Sequence, residues 1–117
     1  MKYKASIYNI FMPNHCWNKI TITGSENDID EFIKNEFKDV PDWALTVHEK
    51  CLRGIYFDIW SRWVADFEWL ESLLVKYPSV WVKDLWKSED GECGIWIGSN
   101  EGIRRLEWDE NPYQDWN

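Results

Sequence analysis

The chain is short of the residues that mark metal centres, disulfide frameworks and membrane spans. In 117 residues it has three Cys, two His, six Gly and four Pro, and 13 Lys plus Arg against 21 Asp plus Glu. An odd set of scattered cysteines (Cys16, Cys51, Cys93) argues against a disulfide framework and for reduced thiols in a cytoplasmic setting. No stretch approaches the roughly 18 apolar residues that a bilayer-spanning helix needs, so no membrane partner is expected. The segment Ala5 to Met12 is interrupted by Tyr8 and Asn9 and lacks a small-residue cleavage site, unlike a signal peptide. The shortage of cations leaves a net charge of −8, which argues against tracking along a phosphate backbone and against nucleic acid as a direct partner. With no repeat, low-complexity tract or linker, one domain over residues 1–117 is expected, with an extension at 1–11 and an acidic, aromatic tail at 109–117.

What the chain has in excess is tryptophan, ten of them, and locally concentrated acid. Residues 25–42 carry seven carboxylates against Lys34 and Lys38, and residues 101–117 carry five against Arg104 and Arg105. Alternation from Cys16 to Thr23 reads as a strand ended by Gly24. Ser25 is placed to cap a helix carrying Ile29, Phe32, Ile33, Phe37 and Val40 at helical spacing, closed by Pro41. A short strand follows at Leu45–Lys50, then an alternating one at residues 54–60. A second helix is expected from about Val64 to Tyr77, stopped by Pro78. Val80–Lys87 and Glu92–Gly98 read as a hairpin around Ser88–Gly91, followed by a strand near Ile103–Trp108. The economical assembly is an α+β fold, a ferredoxin-like two-layer sandwich in which two helices cover one face of an antiparallel sheet.

The run from Met12 to Gly24, Met-Pro-Asn-His-Cys-Trp-Asn-Lys-Ile-Thr-Ile-Thr-Gly, resembles the Met-Pro-Asn-Trp-Cys-x-Asn-x-Leu-x-Val-x-Gly opening of the YubB/Api-type family of phages, plasmids and mobile elements. Phe57-Asp58-Ile59-Trp60-Ser61, with Tyr77-Pro78 beyond it, is similar to that family's second motif. Glu89-Asp90-Gly91 with Trp96-Ile97-Gly98 is similar to its last. His15 stands where the family has Trp, and Arg62-Trp63 where it has Pro-Pro. The resemblance implies a ferredoxin-like domain and a mobile-element origin; it implies no mechanism.

No cofactor or metal site is expected. His15 and Cys16 are neighbours on a strand and point to opposite faces, and Cys16 and Cys93 fall in the apolar register of their strands. The chain has no nucleophile elbow, no phosphate-binding Gly loop and no motif-spaced Cys/His pair, so an enzyme is not expected. Asn18 lies on the core side, where it needs hydrogen-bond partners. The helices are expected to cover Ile20, Ile22, Ile55, Phe57, Ile59, Val80, Val82, Ile95 and Ile97. The other face then carries Trp17, Tyr56, Trp60, Trp81 and Trp96, with Lys19, Asp58 and Lys83 between them. At about 150–250 Å² each, five such rings exceed what a monomer normally exposes. The chain's own ends, a second copy (a homodimer through this face) or another protein would cover them. Nucleic acid could stack on such rings, but Lys19 and Lys83 are few against a net −8.

A second candidate surface is acidic: Glu26, Asp28, Asp30, Glu31, Glu36 and Asp39 on the first helix, with Glu107, Asp109, Glu110 and Asp115 in the tail. Such an array can occupy a basic nucleic-acid channel. The expected function is therefore a non-enzymatic interaction protein of phage or mobile-element origin that binds and inhibits a host protein with a basic nucleic-acid-binding surface. Its sharpest form is an anti-CRISPR-like nucleic-acid mimic. The alternative is a small enzyme or ligand-binding module with an aromatic pocket.

Overall fold

The computed structural model describes residues 15–110. Strand β1 (His15–Thr23) is central, antiparallel to β3 (Gly54–Arg62) on one side and β4 (Trp81–Ser88) on the other. β2 (Leu45–Cys51) extends the sheet beyond β3; β5 (Glu92–Ser99) and β6 (Gly102–Asp109) extend it beyond β4 as a meander. The order is β2-β3-β1-β4-β5-β6, antiparallel throughout.

Helix α1 (Glu26–Glu36) begins where the sequence placed it, because the Ser25 hydroxyl accepts from the Asp28 backbone N–H at 3.1 Å. The Asp28 carboxylate does not close a capping box. It accepts from the Ser79 N–H and hydroxyl and so ties the helix start to the chain entering β4. Helix α2 (Phe67–Lys76) starts three residues later than expected, with Asp66 as its cap accepting from Trp69 N–H. A 3₁₀ turn at Asp42–Ala44 leads into β2.

The ferredoxin-like two-layer sandwich is corrected by this topology. The chain runs β-α-β-β-α-β-β-β and builds one six-stranded sheet that dominates the structure. The reason lies after β4, where eight consecutive residue pairs add β6 to β5. Helix α2 touches β6 where the Arg105 guanidinium lies 3.8 Å over the Phe67 ring, but the two short helices leave that strand exposed along its length. The core lies between the helices and one sheet face. Phe32 of α1 packs on Phe57, Phe37 and Tyr77, and Phe67 of α2 packs edge-on against Trp86. Ile20, Ile22, Ile55, Phe57, Ile59, Val80 and Val82 are buried there as expected.

Strand β5 departs from expectation. Its register sets Trp96 opposite Asp84 and Gly94 opposite Trp86, which puts Trp96 in the core, 1% exposed, and turns Ile95 and Ile97 to the other face. Glycine makes this possible. A Cβ on Gly94 would stand 2.5 Å from the Trp86 ring, and one on Gly98 would stand 2.4 Å from the Trp96 ring. Two indoles with two glycines fill the layer that the sequence reading assigned to isoleucine. Asn18 lies on this side too, donating to the Ile59 carbonyl and the Ser61 hydroxyl. Cys16 is buried in the same layer, and burial raises its thiol to about 12.

Candidate binding face

The sheet face turned away from the helices is built row by row by strand pairing. One row runs Trp60–Trp17–Lys87–Cys93–Trp108, the next Asp58–Lys19–Leu85–Ile95–Leu106, and a third Tyr56–Thr21–Lys83–Ile97–Arg104. Trp81 lies beyond the third row, opposite Thr23. Among the described residues no helix lies over this face, and Trp17, Leu106 and Trp108 are 47%, 63% and 36% exposed on it. A groove of about 680 Å³ opens at one end, lined by Trp17, Leu85, Cys93 and Trp108. Its charged rim pairs internally: Lys19 lies 3.5 Å from Asp58, and Lys87 lies 3.2 Å from Glu110. His48 joins the same rim, 3.0 Å from Asp58 and tilted against Tyr56. Neighbours hold the Glu110 carboxylate below its usual range, first the Trp108 indole N–H and then Lys87.

Of the five aromatics expected here, Trp17, Tyr56 and Trp81 stand exposed on this face. Trp60 shares it but is 3% exposed, covered by the Trp43 ring at 5.2 Å and bonded through its indole N–H to His15 Nδ1. Trp96 belongs to the opposite side, as described above. Leu85, Leu106, Trp108, Lys87 and Arg104 join this face without having been expected on it, and Ile95 was expected on the helix side. Leu85 and Lys87 follow Trp81 and Lys83 at period two, so their side could be read; that of Ile95 could not, because β5 is apolar on both faces.

The acidic candidates do not form one surface. Glu26, Asp30 and Asp39 are exposed and Glu31 is half-buried. Asp28 is engaged by Ser79, and Glu36 is tucked between the helices, accepting from Trp69 Nε1 at 2.8 Å and the Tyr77 hydroxyl at 2.6 Å. Glu107 lies on the helix side of β6, held by a two-pronged bond from Arg105 that keeps its carboxyl below the ordinary range. Glu110 borders the open face. Asp115, the extension at 1–11, the Met12-Pro13-Asn14 part of the family motif and the tail past Glu110 lie outside the described residues. Among the described residues no helix is long and apolar enough to cross a membrane. The chain matches no protein-family model, no curated protein and no solved structure.

Proposed function

We propose that the chain is a non-enzymatic interaction protein that takes a protein partner on its open sheet face. The observation that carries this is the continuous apolar strip of Trp17, Leu85, Ile95, Leu106 and Trp108, left uncovered by the helices. Trp at such a strip is a typical binding hot spot. The aliphatic row of Leu85, Ile95 and Leu106 favours protein over nucleic acid, because an aliphatic group offers a base no plane to stack on. Two of the cations on this face, Lys19 and Lys87, are already paired with Asp58 and Glu110, which leaves fewer to meet a phosphate backbone. A small-molecule site is less favoured, since the rim charges pair with each other rather than converging on the groove.

The family resemblance supports a bacterial host protein as the partner and mobile-element origin for the chain. The phosphate-mimic form of the reading is supported by the exposed Glu26, Asp30 and Asp39 on the helix side. One comparison decides between the surfaces. Tagged protein is used to capture partners from bacterial lysate as wild type, as Trp17→Ala/Trp108→Ala, and as Asp30→Lys. The open-face reading expects one partner lost from the double variant and kept by Asp30→Lys. Loss only in Asp30→Lys would transfer the function to the acidic side. Binding of a labelled single-stranded oligonucleotide that the double variant abolishes would overturn the choice of protein.

A further inference from the structure

The two edges of the sheet differ. β2 is broken by a bulge between Val47 and Glu49, which spoils it as a template for another strand. β6 pairs without interruption over eight residues, carries no Pro or Lys, and is exposed along its whole length. A long, regular, exposed edge of this kind is a ready site for strand addition.

The phase of the ladder determines which backbone groups that edge offers. Glu110 N–H donates to the Gly91 carbonyl directly opposite, at 2.8 Å. Antiparallel pairs alternate between bonded and non-bonded, so Trp108, Leu106 and Arg104 also turn their backbone groups toward β5. Ile103, Arg105, Glu107 and Asp109 then turn theirs outward, and a strand added at this edge must bond to them. If the added strand is another β6, antiparallel about a two-fold axis, only a few registers bring outward groups together. Pairing Arg105 with Arg105, or Glu107 with Glu107, sets like charges face to face. The register centred on Leu106 does the opposite: it sets Arg105 against Glu107 of the second copy, twice, and leaves Leu106 against its own symmetry mate. On the open face the same register brings Arg104 opposite Trp108 of the second copy, a cation beside an indole.

We infer that a second copy of this chain is the partner of the β6 edge, joined antiparallel through Ile103–Asp109 in the register centred on Leu106. The interface is isologous, as a two-fold dimer requires, and it makes one sheet of the two. Arg105 and Glu107 already bond within their own strand at 3.0 Å. In the dimer these charges form an alternating set of four, and Leu106 and Trp108 gain apolar neighbours. This stands on the strand edge and not on the reading of the open face, which the dimer would leave accessible and roughly double in area.

The test uses the full chain and sedimentation velocity over a concentration series. Wild type is expected to dimerise. Arg105→Glu alone and Glu107→Arg alone each place like charges at both cross-strand pairs and should shift the species to monomer. Mixing the two single variants restores opposite charges at every pair, so the mixture should recover dimer that neither variant forms by itself. Hydrogen exchange on wild type gives a second readout, independent of any variant's folding. The Arg105 and Glu107 amides should gain protection with concentration, while those of Leu106 and Trp108 are protected throughout. A wild type that stays monomeric overturns the inference. So does a dimer that survives both single variants, a mixture that stays monomeric, or edge amides that remain open in the dimer.

Discussion

Asp84 shows how far a single residue can run against its surroundings. It is 1% exposed in the core layer between Ile20 and Trp96, and among the described residues its Oδ1 accepts no hydrogen bond. Burial pushes its carboxyl well above the usual range. The folded chain therefore keeps a proton that the unfolded chain releases near 3.8. The contribution of Asp84 to stability should be fullest below that pH and decline as pH rises toward the folded-state value. Asp84→Asn removes the ionisable group at nearly constant shape. Its melting temperature should exceed that of wild type at neutral pH, and the two should converge in acid. A variant less stable than wild type at neutral pH would show that the ionised carboxylate is held by something favourable. The thiols differ in the same local way. Cys16 and Cys93 are buried and Cys51 is exposed. A thiol reagent on native protein should therefore modify Cys51 fast and reach Cys16 only on unfolding, as mass spectrometry of the labelled peptides can read out.

At the scale of elements, a helix and a strand depend on contacts that their own sequences do not show. Glu36 reads as one more carboxylate on an acidic helix, yet it joins α1 to α2 through Trp69 and Tyr77. Glu36→Lys should cost roughly 2–3 kcal/mol in chemical denaturation, because two donors lose a charged acceptor. Glu31→Lys, at a half-buried position whose bond to Asn35 is long at 3.5 Å, should stay within about 0.5 kcal/mol. Gly94→Ala tests β5. Its methyl would meet the Trp86 ring, and overpacking of this kind costs about 1–3 kcal/mol. An unchanged melting temperature would mean that the indole moves aside without strain.

For the whole molecule, the six-stranded sheet separates two surfaces of different character. The helix side holds the core and most of the acid; the open side holds exposed rings, aliphatic groups and the cations Lys19, Lys83, Lys87 and Arg104. Truncating the core at Phe32→Ala or Leu70→Ala should destabilise by about 2–5 kcal/mol, since each side chain is fully buried. Binding through the open strip should respond differently to salt from binding through the acid. Raising ionic strength from 0.15 M to 1 M shortens the Debye length from about 8 Å to about 3 Å. Association through Trp17 and Trp108 should change little over that range, whereas association through Glu26, Asp30 and Asp39 should slow steeply. Association rates measured with the captured partner at the two salt concentrations check this.

The sequence by itself determined the local elements. The N-cap and the alternation of β1, β3 and β4 are short-range patterns, and they held at Ser25, in Ile20–Ile22 and in Ile55–Ile59. Helix α1, by contrast, ends at Glu36, before Phe37, Val40 and the expected stop at Pro41. Three things were decided only by tertiary structure. The facing of β5 was one, because Cys93 to Ile97 is apolar on both sides and period two then has no preferred phase; pairing with Trp86 and Asp84 chose it. The extent of the sheet was another, since whether β5 and β6 add to an edge depends on backbone groups that every strand carries alike. The third was which carboxylates meet solvent. Glu36 is covered by residues 33 and 41 positions away, and no local pattern in α1 records where Trp69 and Tyr77 will come to lie.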